Sequence, residues 1–424
     1  MKEVATKLLN SRKAWMVGFI VFICFCVNEM SEQRVPPVLP LITEDMNLSV
    51  SEGGWLQSMF GWASLIAALP AGWFLAKLGP KKAMAISVAF CCVSGVIGGL
   101  TESYIVLLVA RFLSGFGVGL VAVIAATVVD EWFTPEKRGL PNAILIAFYP
   151  IACIFMLNSS AGIAEAFSWH GVWWLGAILC AVVVVVVLFL LPDRKPYSEL
   201  HHGDENQDAK PKEPMKISVL VKNRSLWFIV IAFMCFDIAY VGLMTYAPSM
   251  MMDNLGVPLE TANQITSTLN IVNMFVVVVN GWLLNKLSIK NRKFLPAIGL
   301  AGLGVGAFLC FNATTAMMAI CFMVIAGVFT SFISSSLFTI GPDTNPNPLY
   351  LGAIVAIVTF GQNLGVAIGP LFVGAIVEAA GNVWTAAALP VLITGLIGAV
   401  FCLFIKVKPQ DKLQGNDSRE ALES

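Results

Sequence analysis

Glu29, Glu32, Gln33 and Arg34 stand together in an otherwise apolar run. Their types define the chemistry open to that run. A guanidinium offers a forked donor set matched to carboxylate or phosphate oxygens, and a carboxyl group removed from water can carry a proton. An arginine at the centre of a bilayer costs about 2.5–3.5 kcal/mol on insertion scales, so something must compensate Arg34. Two readings stand: contact with an anionic ligand, or a structural role in which Arg34 pairs with Glu29 or Glu32 or reaches the outer surface. At about 100° per residue, Glu32 lies roughly 160° and Glu29 roughly 140° from Arg34, so neither faces it on a straight helix. Pro36 and Pro37 follow and are expected to break that helix. Glu29 and Glu32, three apart, share a face; they carry protons, or one of them is an outer-end group in water.

Further along, Arg111 lies about 12 Å from the outer end of its apolar run, deep enough to need a partner, with ligand contact or a structural role as alternatives. Asp237, with Tyr240 one turn on, is an interior acid that takes a proton or joins two helices. Thr266, Asn270, Asn273 and Asn280 fall on one helical face, which is expected to line a central aqueous cavity, with contact between helices as the alternative. Gln362 and Asn363, and Ser331, Ser334 and Ser335, are weaker versions of that signal. The candidate ligand set is Gln33, Arg34, Arg111, Tyr149, Tyr240, Asn270, Asn273, Gln362 and Asn363, and the candidate proton carriers are Glu29, Glu32 and Asp237. Gly361, Gly365 and Gly369, every fourth residue before Pro370, are expected to let helices approach closely.

Other chemistry is excluded by what the chain lacks. No histidine lies in an apolar run, no glycine loop precedes Lys-Ser/Thr, and none of the ten cysteines has zinc or disulfide spacing. No cofactor, metal or catalytic constellation is expected. Acidic and basic residues balance at 26 each, leaving no basic surface for nucleic acid.

The elements that must position these residues are membrane spans. The 424 residues are 58% hydrophobic and only 12% charged, about half the usual charge. Apolar runs near 14–39, 53–77, 83–100, 103–131, 140–164, 169–191, 225–252, 258–285, 293–311, 315–340, 349–378 and 383–405 are each long enough to cross a bilayer. Twenty-four of the 26 Lys and Arg fall in alternate connections; Arg34 and Arg111 are the exceptions. Such sorting puts both termini and the basic connections in the cytoplasm. Among the connections this sorting assigns to the cytoplasm, only 341–348 lacks a cation, although Gly341-Pro342-Asp343 marks it as a turn. The reading divides the chain into a six-helix bundle at 1–191, a cytoplasmic linker at 192–224 with a short surface helix near 215–222, a second bundle at 225–406, and a tail at 407–424. Gly72-Trp73-Phe74-Leu75-Ala76-Lys77-Leu78 recurs as Gly281-Trp282-Leu283-Leu284-Asn285-Lys286-Leu287, so the halves are repeats. Paired halves and interrupted helices are pointers to a transport site near the midplane.

On these residues the chain resembles the major facilitator superfamily. Gly72, Lys77, Gly79, Lys81 and Lys82 are similar to its gating signature between the second and third helices, with Ala76 where an acid usually stands. That departure puts the lock in question or moves it to Asp130 and Glu131. Arg111 with Ser114, Gly115, Gly117 and Gly119 resembles a fourth-helix pattern. Arg34, preceded by Gln33 instead of an acid, gives a partial match to the organic anion:cation symporter branch, and the fifth helix lacks the drug-antiporter signature. The resemblance implies an all-α membrane protein with twelve transmembrane helices in two pseudo-symmetric six-helix bundles. It implies a monomeric multi-pass protein of the plasma (inner) membrane that moves a small organic anion by alternating access with protons. A proton-independent exchanger or exporter and a transporter-like membrane sensor are the rival readings.

Overall fold

The structure, a computed structural model, describes residues 9–134, 137, 148–193, 217–345, 347 and 350–407, and among them it is helical with no strand. Helix α1 (Arg12–Glu32) starts at Ser11, whose hydroxyl accepts from the Ala14 amide at 3.4 Å. A 3-10 turn, Pro36–Val38, leads into α2 (Leu39–Asp45). A capping box opens α3 (Val50–Leu100): Ser49 Oγ accepts from the Glu52 amide and Glu52 Oε2 from the Ser49 amide. At 1.5 Å per residue its 51 residues would reach ~76 Å, over twice the hydrocarbon thickness. It turns back at Gly79, whose φ of 74° and ψ of 168° suit glycine alone.

Helix α4 spans Tyr104–Trp132, and α5 (Phe148–Leu190) turns back at Phe167 and Ser168. The short α6 (Ile217–Val221) stands where a surface helix is expected. Then come α7 (Arg224–Leu255), α8 (Leu259–Lys286), α9 (Phe294–Phe311), α10 (Ala316–Thr330), α11 (Ser334–Asp343), α12 (Leu351–Ala379) and α13 (Ala388–Leu403). Ten helical stretches are long and apolar enough to cross a membrane, with α1–α2 and α10–α11 each counted once. Because α3 and α5 double back, the described residues make twelve crossings.

Close helix contacts fix the directions. Gly115 and Gly119 of α4 abut the Phe60 and Ser64 carbonyls, so α4 runs parallel to the first arm of α3. Gly117 abuts Ser87, and Cys91 Sγ donates to Ser114 O, so the second arm is antiparallel to α4. In the second half, Gly361, Gly365 and Gly369 of α12 meet Val230, Met234 and Ile238 of α7 in register. A Cβ at any of the three would come within 3.0 Å of a backbone atom.

The turn expected at Gly341-Pro342 begins later, since α11 continues to Asp343. Arg292 secures that end: its Nη1 donates to Asp343 Oδ2 at 3.1 Å and its Nε to Leu284 O. The tenth apolar run is also interrupted, at 331–333.

Two apolar cores organise the molecule. One contains α1 residues from Ala14 to Val27 with parts of α3, α4 and α5, all toward the end carrying the basic connections. The other joins Val38, Leu56 and Trp173 of the first half to the second half. The halves therefore share a core at the end away from the basic connections. Hydrogen bonds between halves lie at that far end too. Tyr246 Oη donates to Val50 O at 2.9 Å, Ser51 N donates to Glu378 Oε2, and Asn263 Nδ2 donates to Pro37 O.

Candidate functional site

The break in the first span sets the geometry of the centre. Proline has no amide hydrogen, so Pro36 removes the donor that would otherwise reach Glu32 O. Arg111 of α4 supplies one: Nη2 donates to Glu32 O at 3.1 Å and Nη1 to Ser31 O at 2.6 Å. Its remaining bonds go to Leu56 O and Gln57 Oε1, and its guanidinium lies 5.0 Å from the Phe60 ring centroid. A cation at a helix C-terminus also complements the helix dipole. Arg111 is fully buried and caps the end of α1.

Arg34 lies in the break itself and is fully buried. Its Nη2 donates to Ser31 Oγ at 2.9 Å, and both terminal nitrogens lie 3.4 Å from Cys91 O. Trp173 is 5.7 Å away, and Gly176 leaves the space the guanidinium fills. Neither expected pairing is formed: among the described residues Arg34 makes no salt bridge with Glu29 or Glu32, and it does not reach the surface. Helix α1 ends at Glu32 and Arg34 lies beyond it, so straight-helix angles no longer place the guanidinium, whose donors turn to Ser31 and Cys91.

The acids face the middle of the molecule. Glu29 and Glu32 are 4% and 8% exposed, and Gln33 Nε2 donates to Glu29 Oε1 at 3.2 Å. Phe25, one turn before Glu29 on α1, packs on Phe148 beside Tyr149 with ring centroids 4.7 Å apart. The Tyr149 and Tyr240 ring centroids are 6.3 Å apart, and Tyr240 Oη donates to Asn270 Oδ1 at 2.8 Å. The structure thus gathers Glu29, Glu32, Gln33, Tyr149, Asp237, Tyr240 and Asn270, with Arg34 and Arg111 behind them.

The stripe on α8 divides. Asn270 faces Tyr240, whereas Asn273 Oδ1 accepts from Ser331 and Asn280 Nδ2 donates to Ser335 and Ser336, joining α8 to the interrupted tenth span. Thr266 bonds Ala262 O on its own helix. Gln362 and Asn363 are half-buried at mid-length of α12.

In the basic connection, Gly72 and Gly79 have open space around them, and Lys77 Nζ lies 4.9 Å from the Trp73 ring centroid. The repeated copy does the same, with Lys286 Nζ 3.9 Å from Trp282. Lys81 is half-buried and Lys82 exposed. Glu131 lines a small hollow with Pro80, Trp132 and Leu191, and the Asp130 side chain lies outside the described residues.

Sequence reasoning missed a second repeated pair. Trp169 Nε1 donates to Asp45 Oδ2 and Trp384 Nε1 to Asp253 Oδ2, each at 2.9 Å. The acids are 208 residues apart, close to the offset of the Gly-Trp repeat, so extending the repeat comparison would have found them.

Comparison with known proteins supplies the family context. The sequence pattern described as Major Facilitator Superfamily matches residues 21–350. A Bacillus subtilis protein named "Probable galactarate/D-glucarate transporter" is 23% identical over 395 residues, covering 87% of this chain and 86% of its own. A Cupriavidus necator protein named "Probable sulfoacetate transporter" is 22% identical, covering 92% and 93%. Among solved structures, a D-xylose-proton symporter has a TM-score of 0.72 at 16% identity, covering 94% of this chain and 98% of that one. A bacterial Spinster homologue in an inward-facing, unoccupied conformation has a TM-score of 0.73 at 17% identity, covering 93% and 96%.

Proposed function

Because the chain belongs to the Major Facilitator Superfamily, we propose that it couples the movement of a small organic anion to protons by alternating access. It is a multi-pass membrane transporter of the secondary type and not an enzyme, as its relatives and structural neighbours are.

The reading rests on one observation: two arginines and three carboxyl groups are buried at the centre, and none of them forms a salt bridge among the described residues. With every group ionised, Arg34 and Arg111 against Glu29, Glu32 and Asp237 leave a net charge of −1. An organic anion is repelled by that centre. Each proton taken up adds +1, and two or more make the centre positive. Proton and anion binding then favour one another, and the coupling is reciprocal. The two arginines act through their field and by holding the first-helix break. Direct contacts fall to Gln33, Tyr149, Tyr240 and Asn270, while Gln362 and Asn363 on α12 complete the wall. Small carboxylic and sulfonic acids, the classes in the relatives' names, suit such a centre.

The cation sorting puts the basic connections and both termini in the cytoplasm of a plasma (inner) membrane protein. A core shared at the far end supports reading this conformation as inward-open. The 72–82 segment, with Asp130 and Glu131, is the cytoplasmic gate; two bundles joined through 192–224 rock about the centre of a monomer.

Purified protein in liposomes tests the reading, using labelled sugar diacids, sulfoacetate and nicotinate with an imposed pH gradient. The expected result is concentrative uptake when the outside is acidic, collapsed by a protonophore. Uptake indifferent to gradient and protonophore sinks the coupling, and uptake confined to uncharged solutes sinks the anion. Binding without counterflow makes the protein a sensor.

A further inference from the structure

We infer that Asp237 and Asn270 form a hydroxyl-recognition subsite on the second-half wall of the centre, where an alcohol group of the carried molecule accepts from the Asn270 amide and donates to the Asp237 carboxyl group. This rests on the carrier reading above and specifies which organic solutes fit it.

Two orphaned atoms carry the inference. Asp237 is 3% exposed and Asn270 is fully buried, yet Asp237 Oδ2 and Asn270 Nδ2 have no hydrogen-bond partner. Unpartnered buried polar atoms are uncommon in native proteins and call for an explanation. Both flank Tyr240, which follows Asp237 by one turn and holds Asn270 Oδ1 at 2.8 Å. Its ring stacks on Phe236 with centroids 5.5 Å apart, and Tyr149 stands on another side. With Oδ1 accepting from the Tyr240 hydroxyl, the Asn270 NH2 group is left to donate.

The resulting pair is one donor and one acceptor. A hydroxyl satisfies both through a single oxygen. While Asp237 is ionised, a carboxylate of the solute cannot donate to it, and an ammonium cannot accept from Asn270. The acceptor persists whether or not Asp237 holds a proton, because a neutral carboxyl group keeps a carbonyl oxygen. Other members of the α8 stripe have partners: Thr266 bonds Ala262, Asn273 bonds Ser331, and Asn280 bonds Ser335. Asn270 alone among them has a buried polar atom without a partner, and the Tyr240 that bonds it packs against Tyr149 of the opposite half, with ring centroids 6.3 Å apart. The subsite therefore belongs to the space the two halves share.

Three six-carbon probes test this on the purified full-length protein by calorimetric titration: hexanedioate, its tetrahydroxy counterpart, and the uncharged hexitol. The expected result is at least ~10-fold tighter binding of the tetrahydroxy diacid than of hexanedioate, because a site built to bond a hydroxyl rejects the analogue lacking it. In Asn270→Ala the ratio falls toward about 1. Should that variant fail to fold, Asn270→Asp keeps the size and the Tyr240 bond while replacing the donor, and carries the same expectation. Equal binding of the two diacids, or an unchanged ratio in the Asn270 variant, overturns the subsite and leaves the anion carrier standing. Binding of the hexitol with neither diacid overturns the anion reading and leaves the subsite. Binding of none of the three overturns both.

Discussion

The first span of each half treats its polar residues differently. In the first half, α1 stops at Glu32, Pro36 removes a donor, and Arg111 restores it from α4. In the second half, α7 runs unbroken through 32 residues despite Pro248 and buries Asp237 without a bond. The ends of the halves nevertheless match. Asn47 and Gly256 follow α2 and α7 with φ of 51° and 62°, the two Trp–Asp bonds have the same length, and both Trp–Lys stacks recur. A duplicated scaffold has kept its ends and diverged at its centre, so asymmetry marks where chemistry was added.

The largest expected effect breaks the first-half device. Arg111→Met strands Ser31 O and Glu32 O; stability in detergent falls by about 3 kcal/mol or more, and uptake falls with it. If thermal unfolding is unmoved, Arg111 does not cap α1. Next, Asp237→Asn keeps the volume and removes the proton site. Counterflow persists while pH-driven accumulation drops at least ~10-fold, the usual scale for a lost proton-transfer group. Unaltered accumulation would assign coupling to Glu29 and Glu32 alone.

Arg34→Gln sharpens the contrast further, since an amide can still reach Ser31 Oγ but brings no field. Anion affinity is expected to fall roughly 10-fold, the scale of two unit charges about 12 Å apart at an effective dielectric of about 20, with little change for neutral solutes. Asp45→Asn and Asp253→Asn test the matched ends. Each weakens a charge-assisted Trp bond by about 1 kcal/mol, and unfolding midpoints differing widely between them would break the symmetry. The smallest effects come from Trp73→Leu and Trp282→Leu, about 0.5 kcal/mol each for an exposed cation–π contact, read by the same melts.

The membrane crossings were legible because bilayer thickness sets span length, which leaves a one-dimensional mark. The two stray arginines were legible as costly residues, but their partners were not. Cys91 O, Ser31 O and Glu32 O are backbone acceptors, which sequence cannot display as pairs. The α8 stripe shows the same limit. Its periodicity revealed one shared face without revealing that serines of an interrupted span meet Asn273 and Asn280 there. Asp237 stood out as an interior acid, whereas the orphaned state of Asn270 needed the Tyr240 bond to become visible.

The continuous far-end core also sets how tightly the protein is sealed when it carries nothing. Parting that contact wets apolar side chains at about 25 cal/mol per Å², while separation at the basic end leaves the first half's own core dry. The far end behaves as an oil seal, held closed by surface tension on a molecular scale. Leak of small ions through an empty molecule is opposed by that seal before any charged gate is considered.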